Sequence, residues 1–426
     1  MIEIPIDFIR PGDILAKNHS FKRFDGGLTS SVDLMEGYRL TERVLKKLKA
    51  EFSVGYLCIR EPSQAAEDVH VQPGFDELSR QKIVASFHDN VGNLERTKII
   101  DISQLHAVAY EILENVSSAI KTGKGNFRTL SKAFTEVRSH DTYTWEHSVN
   151  TAIYAAIIAL ADPSLLSNAA KRNRIRYNTR EEDLVLNMLL HDLGKIRVPI
   201  DVLNKSEPLT EQEASRISRH PYEGFQYVRK VNKELQARGM LPIPSYLMQA
   251  CLLHHQSYDG SGYPALRPPD GGDVRPLAGM EIPIVGRIAA VADMFDALSS
   301  NRPYRLPYHP ADALRILISE RGKKLDPTIT QLLVEQISPF PVGTSVMLST
   351  GDLALIVGHE RGNAFHPIVR PLMRKIRKKG REHIIRLHDR DDIPIVPGSK
   401  VRIVINKQLY HTATRVPGAS VQAAAR

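Results

Sequence analysis

Apolar positions change period twice along the chain. At the start, Ile2-Glu-Ile-Pro-Ile6 alternates, Arg10-Pro-Gly-Asp13 makes a turn, Leu40 to Lys49 takes a helical period, and Tyr56-Leu-Cys-Ile59 reads as a strand. Residues 1–62 therefore form a small α+β module, and the polar stretch 63–75 serves as a linker. From 76 to 338 the period is helical. Val149 to Leu160 is apolar all round, as a buried helix is. Thr210-Glu-Gln-Glu213 has the form of a capping box, and Asp326-Pro327 places an N-cap before a proline at the first helical position; His309-Pro310 repeats this more weakly. Pro163 to Glu182 and Pro268 to Gly279 read as loops. Beyond Pro339 short strands return (Val342 to Leu348, Leu353 to Val357, Ile368 to Arg370, Val401 to Ile405), predicting a small β domain over 339–410. The tail 411–426 is small, polar and expected to be disordered. The fold class expected is mainly α: an all-helical bundle between a small α+β module and a small β domain.

The bundle carries the candidate chemistry. His191-Asp192-Leu-Gly194-Lys195 is followed by His254-His255-Gln256-Ser-Tyr-Asp259-Gly-Ser-Gly262-Tyr263-Pro264. His147 heads the apolar run, His220-Pro221 sits at a helix junction, and Asp293 lies in the apolar stretch Arg287-Ile-Ala-Ala-Val-Ala-Asp293-Met-Phe-Asp296. Imidazoles and carboxylates from several helices are how bundles build metal sites in their cores. Nitrogen and oxygen donors without clustered cysteines suit Fe, Mn or Zn. Asp192, with two oxygens, is the candidate to bridge a metal pair. Lys195 offers a positive charge to a phosphate, and Gly194 lets the chain turn beside it. Arg302 and Arg305 offer bidentate phosphate contacts. Each residue alone has an ordinary reading: core histidine, helix-end lysine, surface arginine, glycine-rich loop. Their joint order does not.

That order resembles the HD-GYP phosphodiesterases, bacterial enzymes that hydrolyse cyclic di-GMP, and the fold it implies for 76–338 is the HD-type helical bundle. The N-terminal phrases Ile9-Arg-Pro-Gly-Asp13 and Leu40-Thr-Glu-Arg-Val-Leu-Lys-Lys-Leu48 resemble the accessory module often found ahead of such domains. The resemblance implies two divalent metals, Fe or Mn. One would be held by His147, His191, Asp192 and Asp293, the other by Asp192, His220, His254 and His255. A hydroxide between them would be the nucleophile, with pGpG or GMP as product. Lys195, Arg302, Arg305 and the Gly262-Tyr263-Pro264 loop would contact substrate. Members with three metals carry Glu where this chain has Tyr143, which favours a binuclear site. Gln256 stands where Glu is frequent.

Composition changes little in this picture. The 426 residues are 42% hydrophobic and 25% charged, ordinary for a globular protein. Two cysteines, Cys58 and Cys251, give no disulfide framework, and no stretch approaches a membrane span, so a cytoplasmic protein is expected. A net charge of +9 suits an anionic substrate. Part of the excess lies in Lys171 to Arg180 and in Arg370 to Arg381; the cluster Arg374 to Arg381 has no interleaved aromatic to stack bases, which argues against nucleic-acid binding there. Protein partners at the Gly-Tyr-Pro loop and a homodimer remain open. So do three other functions: a cyclic GMP-AMP phosphodiesterase, another HD-type nucleotide phosphohydrolase, and a nonenzymatic dinucleotide receptor.

Overall fold

The computed structural model describes residues 2–51, 56–59, 77–92, 101–122, 143–167, 180–300 and 308–404, with short breaks inside these spans. The chain divides into two compact units, one formed by Met1–Gln72 with Pro339–Arg415 and the other built on Pro73–Ser338.

In the first unit, β1 (Ile2–Pro5) pairs antiparallel with β4 (Tyr56–Ile59), and β2 (His19–Asp25) pairs with β3 (Leu28–Leu34) as a hairpin. Helix α1 (Glu42–Glu51) buries Leu45 and Leu48. The C-terminal strands are β5 (Ser345–Leu348), β6 (Leu353–His359), β7 (Pro367–Lys378), β8 (Arg381–Arg386), β9 (Ile393–Pro394) and β10 (Ile403–Val404). They form one antiparallel sheet in the order β10-β5-β6-β7-β8, with β9 also on β7. Successive side chains of a strand face opposite ways, and β6 uses both directions. Leu353 and Leu355 join Leu15, Leu48 and Leu57 of the N-terminal segment, whereas Ala354 and Ile356 pack with Val346 and Val369. The segments read as separate N- and C-terminal modules thus share a hydrophobic cluster. The hairpin β2–β3 was not read from the sequence. The basic run places Arg374 to Lys378 on β7, facing Arg381 to Ile385 of β8 in an antiparallel ladder. The tail 411–426 lies outside the described residues.

The second unit is helical: α2 (Glu77–Gly92), α3 (Ile102–Thr122), α4 (Tyr143–Ala161), α5 (Glu181–Leu190), α6 (Ile200–Leu203), α7 (Glu211–Ile217), α8 (His220–Ala237), α9 (Gln249–Leu253), α10 (Ile284–Ser299), α11 (Pro310–Ser319) and α12 (Pro327–Gln336). Helix α4 is its axis, buried without a break from His147 to Ala159, with α3, α5, α10 and α12 packed around it. Helix α5 is buried from Asp183 to Leu190. A helix apolar on every face has to be surrounded. Among the described residues, no helix is long and apolar enough to cross a membrane.

The caps expected at Thr210 and Asp326 are present, and His309 lies outside the described residues. Thr210 accepts from the Glu213 N–H at 3.2 Å while the Glu213 carboxylate accepts from the Thr210 N–H at 2.7 Å. Together with Lys205, these contacts hold the Glu213 carboxyl down at about 2. Asp326 caps α12 through the Thr328 and Ile329 amides and also accepts from Arg287 Nη1 at 2.6 Å, both side chains being buried. Removing one partner of a buried ion pair leaves an uncompensated charge, at a cost of about 3–5 kcal/mol. Asp326→Ala is therefore expected to lower unfolding free energy by about that amount in urea titration. Asp326→Asn, which keeps the cap, should cost less. Equal losses for the two variants would place the stabilisation in the ion pair alone.

Candidate metal centre

Six structural segments deliver the candidate ligands to one buried place. His147 lies in the second turn of α4, and Asp293 lies within α10. His191 ends α5, and Asp192 opens a 3-10 turn over Leu193–Arg197. His220 is the first residue of α8. His254 ends α9, with His255 next in the chain. Four of the seven thus sit where a helix starts or stops.

The helices approach closely because glycines face one another. A Cβ on Gly194 would lie 1.9 Å from the His220 carbonyl oxygen and 2.6 Å from the Gly224 nitrogen. The expected turning role for Gly194 is replaced by a packing role: only a missing side chain lets the 3-10 turn touch the start of α8. Gly262 is similarly constrained. Its Cβ would lie 2.3 Å from the Ser257 nitrogen and 2.4 Å from the His255 oxygen.

Ring orientation comes from one recurring device. His191 Nδ1 lies 2.6 Å from the Met188 carbonyl, His220 Nδ1 2.8 Å from that of Ile217, and His254 Nδ1 2.7 Å from that of Ala250. A carbonyl only accepts, so each Nδ1 carries the proton and each Nε2 presents a lone pair inward. His147 Nδ1 instead meets Asp296 Oδ2 at 2.6 Å, and Asp296 Oδ1 accepts from Asn150 Nδ2 at 2.9 Å and Ser300 Oγ at 2.7 Å. Outer partners of this kind fix the tautomer and basicity of metal-binding histidines. Asp296, Asn150 and Ser300 were absent from the sequence-derived site. Asp296 was nonetheless legible, one helical turn after Asp293 on the same side of the helix.

Asp192 stands in the middle. Its Oδ2 lies 3.3 Å from His147 Nε2 and 3.5 Å from His191 Nε2, and its Oδ1 lies 3.2 Å from His220 Nε2 and 3.7 Å from His254 Nε2. Asp293 Oδ1 lies 3.0 Å from His147 Nε2. The donors fall into two trios that could each hold a metal ion, His147-His191-Asp192 and His220-His254-His255. The fit to cations is specific. His191 Nε2 is buried without a hydrogen-bond partner among the described residues. The Nε2 atoms of His220 and His254 face each other at 2.9 Å although both Nδ1 atoms are committed to carbonyls. Two opposed lone pairs repel, and a cation at their meeting point removes the conflict.

Electrostatics agrees. Burial holds His191 below the usual histidine range, His254 far below it, and His255 at about 3. These rings are neutral, as ligation requires. Burial disfavours the imidazolium of His147 too, but Asp192, Asp293 and Asp296 outweigh it and raise its pKa well above the ordinary value. Burial opposes ionisation of Asp192 and Asp293 as well; Lys195 and His191 overcome it at Asp192, and His147 at Asp293, so both carboxyls titrate well below the usual range. Lys195 Nζ lies 2.5 Å from Asp192 Oδ2, with the side chain about one-fifth exposed. The Tyr263 ring stacks on His255 at 4.7 Å between centroids, and the Tyr263–Pro264 bond is cis. Arg302 and Arg305 lie outside the described residues, as does the side chain of Tyr143.

A family model described as HD domain matches residues 155–329, covering every candidate ligand but His147. A cyclic di-GMP phosphodiesterase of Pseudomonas aeruginosa is 27% identical over 341 residues, covering 80% of this chain and 72% of that protein. A cyclic di-GMP phosphodiesterase response regulator of Xanthomonas campestris is 38% identical over 159 residues, covering 37% of each. A 3'3'-cGAMP-specific phosphodiesterase of Vibrio cholerae is 26% identical over 306 residues, covering 71% of this chain and 49% of that protein.

Because the pKa of His147 is raised, the metal-free protein carries a proton there at neutral pH, and a metal has to displace it. Metal affinity is therefore expected to climb with pH until His147 loses its proton unaided, and then to level off. Calorimetric titration in buffers of different ionisation enthalpy should register about one proton released at pH 7. His147→Gln, which has no proton to displace, should abolish the release. Proton uptake on metal binding would contradict this account.

Proposed function

We propose that this chain, a member of the HD-domain family and of its HD-GYP branch, is a metal-dependent phosphodiesterase that hydrolyses cyclic di-GMP to pGpG or GMP. The observation that carries this reading is the Asp192 carboxylate, turned with one oxygen toward each histidine group. His147, His191, Asp192 and Asp293 would hold one divalent ion, and Asp192, His220, His254 and His255 a second. Nitrogen and oxygen donors favour Fe or Mn here. The buried Cys251 thiol donates to the Leu190 carbonyl and is pushed by burial up to about 12, so it offers no thiolate. A metal pair supplies Lewis acidity and brings the pKa of water down to roughly 7.

The protein's own groups do the rest. The Nδ1 contacts to Met188, Ile217, Ala250 and Asp296 keep four rings from turning as charge develops. Helices α4, α5 and α10 pack apolar side chains around the donors and exclude bulk water, which strengthens each electrostatic contact. Lys195 neutralises Asp192 before substrate arrives and would donate to a phosphodiester oxygen. Hydrolysis adds water across one P–O3′ bond: phosphorus gains the hydroxyl oxygen and the departing O3′ takes a proton. Arg302 and Arg305 extend the proposal as phosphate contacts, within a catalytic domain over 76–338. A second reading, cyclic GMP-AMP as substrate, is favoured by the Vibrio cholerae relative and fits the same site. Chromatography of products from both dinucleotides, incubated with Mn- or Fe-loaded protein, separates the two. No turnover of either would sink the proposal.

Elemental analysis of anaerobically purified protein is expected to find two metals per chain; three, or none in metal-replete medium, would contradict the ligand assignment. Asp192→Ala should remove both metal and turnover. Lys195→Ala should keep the metals and slow the chemical step, since losing one donor at a developing oxyanion costs about 10²–10³-fold. Equal metal loss in both variants would show the roles to be misassigned.

A further inference from the structure

Of the histidines in the two trios, His255 is held differently. The other four each have Nδ1 fixed by an oxygen, whereas no ring nitrogen of His255 makes a hydrogen bond among the described residues. Its ring is located by packing: Tyr263 stacked on one side, and His220 edge-on at 5.0 Å. The Tyr263 N–H also returns to the His255 carbonyl at 3.0 Å, closing a tight loop that Gly262 alone makes sterically possible.

The far part of this loop is tied by backbone bonds, Tyr258 N–H to Lys324 O at 3.0 Å and Asp259 N–H to Lys323 O at 2.7 Å. Beside the ring, the tie is one buried amide. Gln256 Nε2 donates to the Pro264 carbonyl at 2.7 Å, and Gln256 Oε1 accepts from the Leu277 N–H at 2.7 Å. Gln256 is only 2% exposed. A buried amide satisfied at both ends is costly to replace with an apolar group, because Pro264 and Leu277 would be left without partners.

Resting on the assignment of His255 as a ligand, we propose that Gln256 and Tyr263 are positioning residues that set the affinity of the second metal. Gln256 clamps Pro264 against the Leu277 segment, the clamp holds the Tyr263 ring on His255, and the stack replaces the hydrogen bond that orients the other four imidazoles. Outer contacts of ligating residues typically change metal affinity by about 10–100-fold, and a stack that does the same duty falls in that range.

Titration of the full-length metal-free protein with Mn(II), followed by electron paramagnetic resonance, resolves the ions bound in order of affinity. Wild type should bind two. Gln256→Ala and Tyr263→Leu should each weaken one ion by about 10–100-fold and leave the other unchanged. Tyr263→Phe, which keeps the ring, should bind both as wild type does. If Gln256→Ala does not fold, the Tyr263 pair still decides. Unchanged binding of both ions, or equal weakening of both, would overturn the positioning role. Fewer than two ions on wild type would overturn the ligand assignment itself.

Discussion

The whole centre depends on one buried charge. Moving a carboxylate out of water costs several kcal/mol even after relaxation, and Asp192 is almost wholly enclosed. The compensation comes from Lys195 on one side and imidazoles on the others, all within 4 Å. Lys195 and Asp192 are three residues apart, so the ion pair is set by the local 3-10 turn and does not await assembly of the bundle. What does await assembly is the convergence of four further histidines and Asp293. Those groups bring lone pairs more than protons, and a core with excess lone pairs gains stability from a bound cation. Metal affinity and the stability of this core are therefore two aspects of one electrostatic balance.

That balance explains why the candidate ligands cluster at helix ends. The last carbonyls of a helix and of its terminal turn have no intrahelical partner. His191, His220 and His254 use carbonyls at helix ends, three or four residues back, at Met188, Ile217 and Ala250, and the Met188 and Ala250 oxygens also take the same histidine's backbone N–H. Each ring is thereby oriented by its own chain, and the bundle only has to bring the turns together. His147 lies inside a helix where no carbonyl is spare, and there Asp296 serves. Asn187 contributes to the assembly by donating to the Tyr246 carbonyl and accepting from the Ala250 N–H, which links α5 to the start of α9. The Ala250 carbonyl then orients His254.

Much of the fold and of the candidate site was legible in the sequence, because the candidate ligands are rare residue types in apolar surroundings. The run Val149 to Leu160 fell inside α4, and the capping box at Thr210 and the cap at Asp326 were found as expected. What was hard to read depended on contacts between distant segments. Gly194 reads locally as a turn residue, and its closeness to the His220 carbonyl exists only once α8 is packed. Asp296 reads as an isolated acid until His147, 149 residues earlier, lies beside it. Gln256 looked like a minor substitution because nothing in the chain links it to Pro264 and Leu277. The hairpin β2–β3 went unread although the sequence pair Gly26-Gly27 is a turn signal; the flanking segments are polar and lack the apolar density that made β6 obvious.

The flanking segments show the same limit from the other direction. Read locally, residues 1–62 and 339–410 are each a plausible small domain. Yet domains of about 60 residues bury a modest fraction of their surface and are marginal by themselves. The N-terminal segment has Leu15, Leu40, Leu48, Leu57 and Ile59 buried, and β6 adds Leu353 and Leu355 to that same cluster. An apolar strand such as Leu353-Ala-Leu-Ile-Val needs cover on both faces, and the C-terminal sheet's own side chains line the face that carries Ala354 and Ile356. The other face is completed by a segment about 300 residues away in sequence. The apolar density of β6 recorded that second partner all along, since a strand with one buried face alternates and this one does not.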